Sequence, residues 1–331
     1  MRSGIGKHRS FWLSRPLFAV ILIFCAGVGN AGTEDGKRVR FGYSALSLSF
    51  LPHLVARDAG IFEKQGFQAE LIQMAGPLQV VALAAGDLEF GSALSPALFA
   101  AARGLPVRGV MVTVTTPLFY IVSDPVITRV EDLVGKRMAV DTIGSLQHIV
   151  AKIILKKKGV DPDRISYFQT GSVSNSLAAL GGKSVSAAVL SIPTNIVMTQ
   201  KGFRELASSL EADVPFPPSG LTVQLSKLQK ERVSIKRMIS AMLDTIGFIY
   251  GHKDWVTGYI QRSWKIEPAL AAESYRLVLS TLSLNGKVSS GGLQAFLDVA
   301  YENKLIQRKS ESRMVMDESL IDEALKDRTG K

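Results

Sequence analysis

Short side chains with hydroxyl, amide or carboxyl groups gather in five stretches of this chain, each just after an apolar run. Ser44 and Ser47 fall in the first stretch with Phe50, and Ser92 and Ser95 in the second. The third runs from Thr113 to Phe119 and includes Thr115; the fourth holds Asp141, Gly144, Ser145 and Gln147. The fifth, Ser191 to Asn195, includes Pro193. Such groups donate and accept hydrogen bonds at neutral pH, which suits holding a polar organic molecule more than transforming it. Phe50 and Phe119 add flat faces for a planar ring. Each residue also has a structural reading. Ser and Thr at helix starts cap backbone N–H groups, and phenylalanines fill cores. Asp141 can accept donors from its own loop instead of a cationic group, and Gly144 fits a close backbone approach.

Other chemistries lack their residues. No G-x-S-x-G turn accompanies a Ser-His-Asp set, and no glycine-rich phosphate loop is present. The four histidines, His8, His53, His148 and His252, show no metal-ligand spacing, and Cys25 is the only cysteine. No cofactor or metal is expected. His53, one turn into a helix, reads as a partly buried structural histidine.

The five stretches must be held by the elements before and after them. Val39–Tyr43, Phe67–Met74, Leu88–Phe90 and Val107–Thr113 read as strands. Between them lie helices over 52–59, 77–85 and 95–102, punctuated by Pro52, Gly60, Pro77, Gly86, Pro96 and Gly104. The rhythm restarts with strands over 119–122, 137–140, 165–169, 187–190 and 203–207, and helices over 145–158, 173–180 and 193–200. Such alternation predicts largely parallel sheets with helices on both faces. The Pro-rich cluster from Val214 to Gly220 breaks the second rhythm, and Leu221–Leu225 reads as a strand returning to the first lobe. From Ser226 the pattern is helical, with Met238, Met242, Ile246 and Ile249 forming a core stripe. In open α/β sheets ligands sit beyond the carboxyl ends of the strands, which is where the five stretches fall.

The first 31 residues have a different character. Arg2, Lys7, Arg9 and Arg15 precede an apolar run from Leu17 to Val28, and Gly29-Asn30-Ala31 follows. This is the layout of a cleavable secretory signal peptide. Phe24 before Cys25 speaks against a lipoprotein signal. Removing 1–31 leaves 300 residues with 35 basic and 29 acidic side chains, a formal charge of +6. The basic residues are scattered without interleaved aromatics, which argues against nucleic-acid binding. Residues 32–38 read as a flexible lead-in.

Several ordered segments are similar to a known family. They are Val39-Arg40-Phe41-Gly42-Tyr43, Phe50-Leu51-Pro52, and Ala59-Gly60-Ile61-Phe62-Glu63-Lys64-Gln65-Gly66-Phe67. Leu83-Ala84-Ala85-Gly86-Asp87-Leu88-Glu89-Phe90-Gly91 follows, then the run from Val130 to Val140, then Gly159-Val160-Asp161-Pro162 with Ile165. Together they resemble the periplasmic substrate-binding proteins of ABC transporters, in the branch of NMT1/THI5-like, aliphatic-sulfonate, nitrate and taurine binders. The resemblance spans roughly residues 39–207.

The resemblance implies an α/β, two-lobed periplasmic-binding-protein-like (type II) fold with a ligand cleft between the lobes. Lobe I would comprise 39–116 and 219–331, and lobe II 117–218, with hinge crossings at both ends. The implied role is an extracytoplasmic, periplasmic solute-binding protein that closes over a small organic molecule and delivers it to an ABC permease in the inner membrane. Pyrimidine-like, sulfonate and carboxylate molecules are the leading ligands, and a monomer is the default. The alternative is a ligand-sensing, receptor-docking protein of the same fold. A pyrimidine-synthase-like enzyme fits less well, because that activity goes with a cysteine-rich motif which residues 32–331 lack.

Overall fold

The computed structural model describes residues 36–213 and 216–330, so the expected signal peptide over 1–31 lies outside the described residues. The first strands are β1 (Lys37–Tyr43), β2 (Phe67–Gln73), β3 (Phe90–Ala93) and β4 (Val107–Val114). The chain then forms β5 (Phe119–Ser123), β6 (Arg137–Val140), β7 (Ser166–Gln169), β8 (Ala187–Ser191) and β9 (Arg204–Ser208). It returns as β10 (Ser219–Gln224). Two five-stranded sheets result, ordered β2-β1-β3-β10-β4 and β7-β6-β8-β5-β9. β1 begins at Lys37, which pairs with Phe67, so the last two residues of the expected lead-in belong to the sheet.

Burial explains the strand sequences. β5 and β8 are buried along their whole length and are runs of apolar and small residues, as central strands require. β1 carries exposed Arg38 and Arg40 around buried Val39 and Phe41, the alternation of a strand with unequal faces.

The sheets are mixed rather than largely parallel. β1 runs parallel to β2 and β3, and β6 runs parallel to β7 and β8. β10 lies antiparallel between β3 and β4, and β5 is antiparallel to β8 and β9. The reason is topological. β4 ends at the junction between the sheets, so the strand after it, β5, starts there and runs away. β10 does the same after β9. Each crossing therefore delivers a reversed strand, while the other eight strands keep their carboxyl ends at the junction.

Buried hydroxyls pin both crossings. Ser209 donates to the Pro117 carbonyl at 2.6 Å and accepts the Phe119 N–H at 3.0 Å, tying one crossing to the other. Ser219 donates to the Ser49 carbonyl and contacts the Thr113 hydroxyl at 2.9 Å. The C-terminal helices return to the first sheet. The Arg232–Gly251 helix buries Met238, Met242, Ile246 and Ile249. Gly109 bridges Met316, and Thr115 N–H donates to the Thr281 carbonyl. Phe296 stacks on Phe99 at 5.0 Å, with Phe216 edge-on to both. Among the described residues no helix is long and apolar enough to cross a membrane.

Candidate functional site

On the first sheet's side of the junction, Gln79 organises three loops. Its side-chain amide donates to Ser44 Oγ and to the Met74 carbonyl, both at 3.0 Å. Its Oε1 accepts the N–H groups of Ser92 and Ala93, both at 3.1 Å. The loops after β1 and β2 and the end of β3 are thus held by one buried amide. Gly42 makes this possible, since a Cβ there would lie 2.9 Å from Gln79 Cγ and 2.8 Å from Leu88 Cδ1. Sequence reasoning misses Gln79, which sits among apolar helix residues; a lone amide in such a helix is the only local signal.

The second sheet's side is built around Asp141, just past β6. Asp141 Oδ1 accepts the Ser145 hydroxyl at 2.5 Å and the Thr142 N–H at 2.6 Å. The Asp141 N–H donates to Gln147 Oε1 at 2.7 Å. Burial pushes the Asp141 carboxyl above its usual range, and the bonds from Ser145 and Thr142 act against that rise. Ser145 is also the N-cap of the Leu146–Lys157 helix, accepting the His148 N–H.

The two halves meet in a narrow pocket. Ser44, Ala45, Ser47, Phe50, Ala75, Gly76, Ala93 and Pro96 line it from the first side. Phe119, Asp141, Ser145, Leu146, Gln147, Val173 and Ser191 line it from the second, with Pro218 at a crossing. Its volume of about 50 Å³ leaves room for only a few non-hydrogen atoms in this state. Of the residues expected to bind, the fold brings Ser44, Ser47, Phe50, Phe119, Asp141, Ser145 and Gln147 to this pocket.

The others lie elsewhere for identifiable reasons. Ser95 is buried inside the Leu94–Ala102 helix and donates to the Pro217 carbonyl at 2.7 Å. Thr115 donates to the Thr281 carbonyl. Ser92 is fully buried behind Gln79 with no partner for its hydroxyl among the described residues. Asn195 is buried and donates to Glu205, and Pro193 precedes the Thr194–Gln200 helix as its N-cap. Gly144 has a φ of +84°, and a Cβ placed there would meet nothing within 4 Å, so its left-handed turn, not a close approach, calls for glycine.

Gly144 instead lines a wider groove of about 1040 Å³ beside the pocket, with Val81, Phe99, Arg103, Ile143, His148 and Lys152 among its walls. His148 Nδ1 accepts the Gly144 N–H at 3.0 Å. Burial, then the charge of Lys152, lowers the His148 pKa, which favours the neutral ring. His53 is fully buried rather than partly buried. Its Nε2 faces the Gly220 carbonyl at 2.9 Å, and burial lowers its pKa to about 4. Among the described residues no group of three His, Cys, Asp or Glu side chains could hold a metal ion.

Known proteins share this design. A Brucella abortus relative, named for a proposed binding role, is 27% identical over 248 residues, covering 71% of this chain and 74% of its own length. A solved Bordetella bronchiseptica protein superposes with a TM-score of 0.77 at 16% identity, covering 90% of this chain and 99% of its own. The periplasmic aliphatic sulphonate-binding protein SsuA from Escherichia coli gives a TM-score of 0.64 at 21% identity, covering 84% and 91%. The desulfurization enzyme DszB also has this architecture, with a TM-score of 0.62 at 13% identity. At such identities these likenesses establish the two-lobed periplasmic-binding-protein fold. The family profile described as NMT1/THI5 like matches residues 47–254, from the Ser47 loop through β2 to β10 and both crossings. With well over half its length accounted for in this way, the chain belongs to the NMT1/THI5-like family.

Proposed function

We propose that this chain is an extracytoplasmic solute-binding protein that captures a small organic molecule by closure of its two lobes and hands it to an ABC permease. The observation that carries this reading is the pocket where the strand ends of the two sheets meet. Hydroxyl, amide, carboxyl and aromatic groups from both lobes converge there. A ligand touching both walls stabilises the closed arrangement, because only that arrangement presents both sets of groups. The family and the binding-protein relative support the same role. An enzymatic role is not part of the proposal, although the fold itself is compatible with one. A periplasmic location fits the expected secretory leader, and the pyrimidine-like, sulfonate and carboxylate candidates share a small polar body.

Native mass spectrometry of protein purified from its own extract, without a denaturing step, tests the role. A stoichiometric small-molecule mass is expected. Ser145→Trp places an indole in the pocket and is expected to abolish that mass while keeping the far-ultraviolet spectrum of the parent. A Ser145→Trp protein that still carries the molecule would move the site elsewhere. A parent that never binds a small molecule, from extract or from a metabolite library, would overturn the role.

A further inference from the structure

Asp141 is the only ionisable side chain among the described residues that line the narrow pocket. It forms no ion pair with any described Lys, Arg or His. Its Oδ1 is occupied by Ser145 and Thr142, whereas Oδ2 has no hydrogen-bond partner among the described residues. Asp141 is half-buried at the pocket wall, and this fold supplies only neutral donors on one of its two oxygens, leaving Oδ2 open to a group that enters the pocket. A balancing charge can arrive with the ligand.

We infer that the pocket takes a small molecule bearing one cationic N–H group, an ammonium or amidinium, which docks on Asp141 Oδ2. This rests on the solute-binding reading above and assigns the charge class of its ligand. The rest of the molecule is compact, because the cavity is small, with apolar surface for Phe50, Phe119, Val173 and Pro96 beside the hydroxyls of Ser44, Ser47 and Ser191. The N-terminus of the Leu146–Lys157 helix opens on the same side and by itself favours anions. It carries about half an elementary charge, whereas Asp141 beside it carries a full negative one when ionised, which opposes an incoming sulfonate and favours a cation. The class inferred here therefore departs from the sulfonate and carboxylate candidates given above, and from the sulphonate named for the Escherichia coli structural neighbour.

Calorimetry at pH 7.5 with isobutylamine, benzylamine and benzamidine, against ethanesulfonate, benzenesulfonate and benzoate, tests the assignment. At least one cation is expected to bind, with no anion binding as tightly. Asp141→Asn should weaken the bound cation roughly 30-fold or more, the loss seen when one member of a buried charge pair is removed. The Asp141→Asn protein should melt no lower than the parent without ligand, because its amide oxygen can still accept from Ser145 and Thr142 and a lone charge is gone. Anions binding as tightly as the cations, cations that all fail to bind, or unchanged cation affinity in the folded Asp141→Asn protein would each overturn the assignment. The extract experiment separates the two readings. An anionic co-purified molecule removes the charge class and leaves the transport role standing, whereas a protein that binds no small molecule removes both.

Discussion

His53 and Gln79 do not line the pocket, yet each ties together elements around it. His53 is neutral in the fold because burial opposes its charging, and its pKa falls from an ordinary 6.5 to about 4. The unfolded chain therefore binds a proton at a higher pH than the folded one. The contribution of His53 is fully present above about pH 6.5 and is lost as pH falls through about 4. Complete protonation would cost about 3 kcal/mol. Urea unfolding at pH 7.5 and pH 4.5 is expected to show a larger drop for the parent than for His53→Gln; equal drops would remove His53 as an acid-sensitive point. Gln79→Leu keeps the volume but leaves the Ser92 and Ala93 N–H groups without their acceptor. A loss of about 3 kcal/mol is expected in the same assay, with weaker ligand binding because the Ser44 loop is released.

At the scale of elements, the crossings matter most. Ser209→Ala removes a hydroxyl bonded to both Pro117 and Phe119 and strands a buried N–H. It is expected to cost about 1–3 kcal/mol and to raise amide exchange at Phe119 more than in the middle of β8. Exchange that rises equally in both places would indicate a general loss of stability instead of a loosened crossing. The strands and helices around these crossings were legible in the sequence, because apolar runs end at Gly60, Gly86 and Gly104 and helices open near Pro52 and Pro77. Strand direction was not legible. The periodicity of β5 or β10 is the same whichever way its neighbours run, and direction follows only from the path between the sheets. The site was legible by loop but only partly by residue. Ser95 and Thr115 have the right chemistry in the right loops, yet their hydroxyls go to carbonyls 122 and 166 residues away. Nothing local marks such a partner. Gln79 escaped for the converse reason, as its helical surroundings suggest core while its amide faces the loops.

For the whole molecule, the small pocket and the wide groove beside it suggest different uses of one junction. A cavity of about 50 Å³ admits a ligand only if the lobes part, while the neighbouring 1040 Å³ groove stays open to solvent. Opening and closing about the two crossings is the motion this architecture allows without breaking either sheet. It is read most directly from the distance between the lobes. Val126, 83% exposed, and Val233, 71% exposed, mark the second-sheet and C-terminal helical sides. Cysteines placed at both can carry a fluorescent pair, since the only natural cysteine is Cys25 in the expected leader. Single-molecule energy transfer on protein freed of its ligand should give a broad or two-peaked distance distribution. Adding the small-molecule fraction of the native extract should collapse it to one narrow peak, and Ser145→Trp should prevent the collapse. A distribution that stays the same with that fraction, at concentrations where calorimetry shows it bound, would contradict capture by closure.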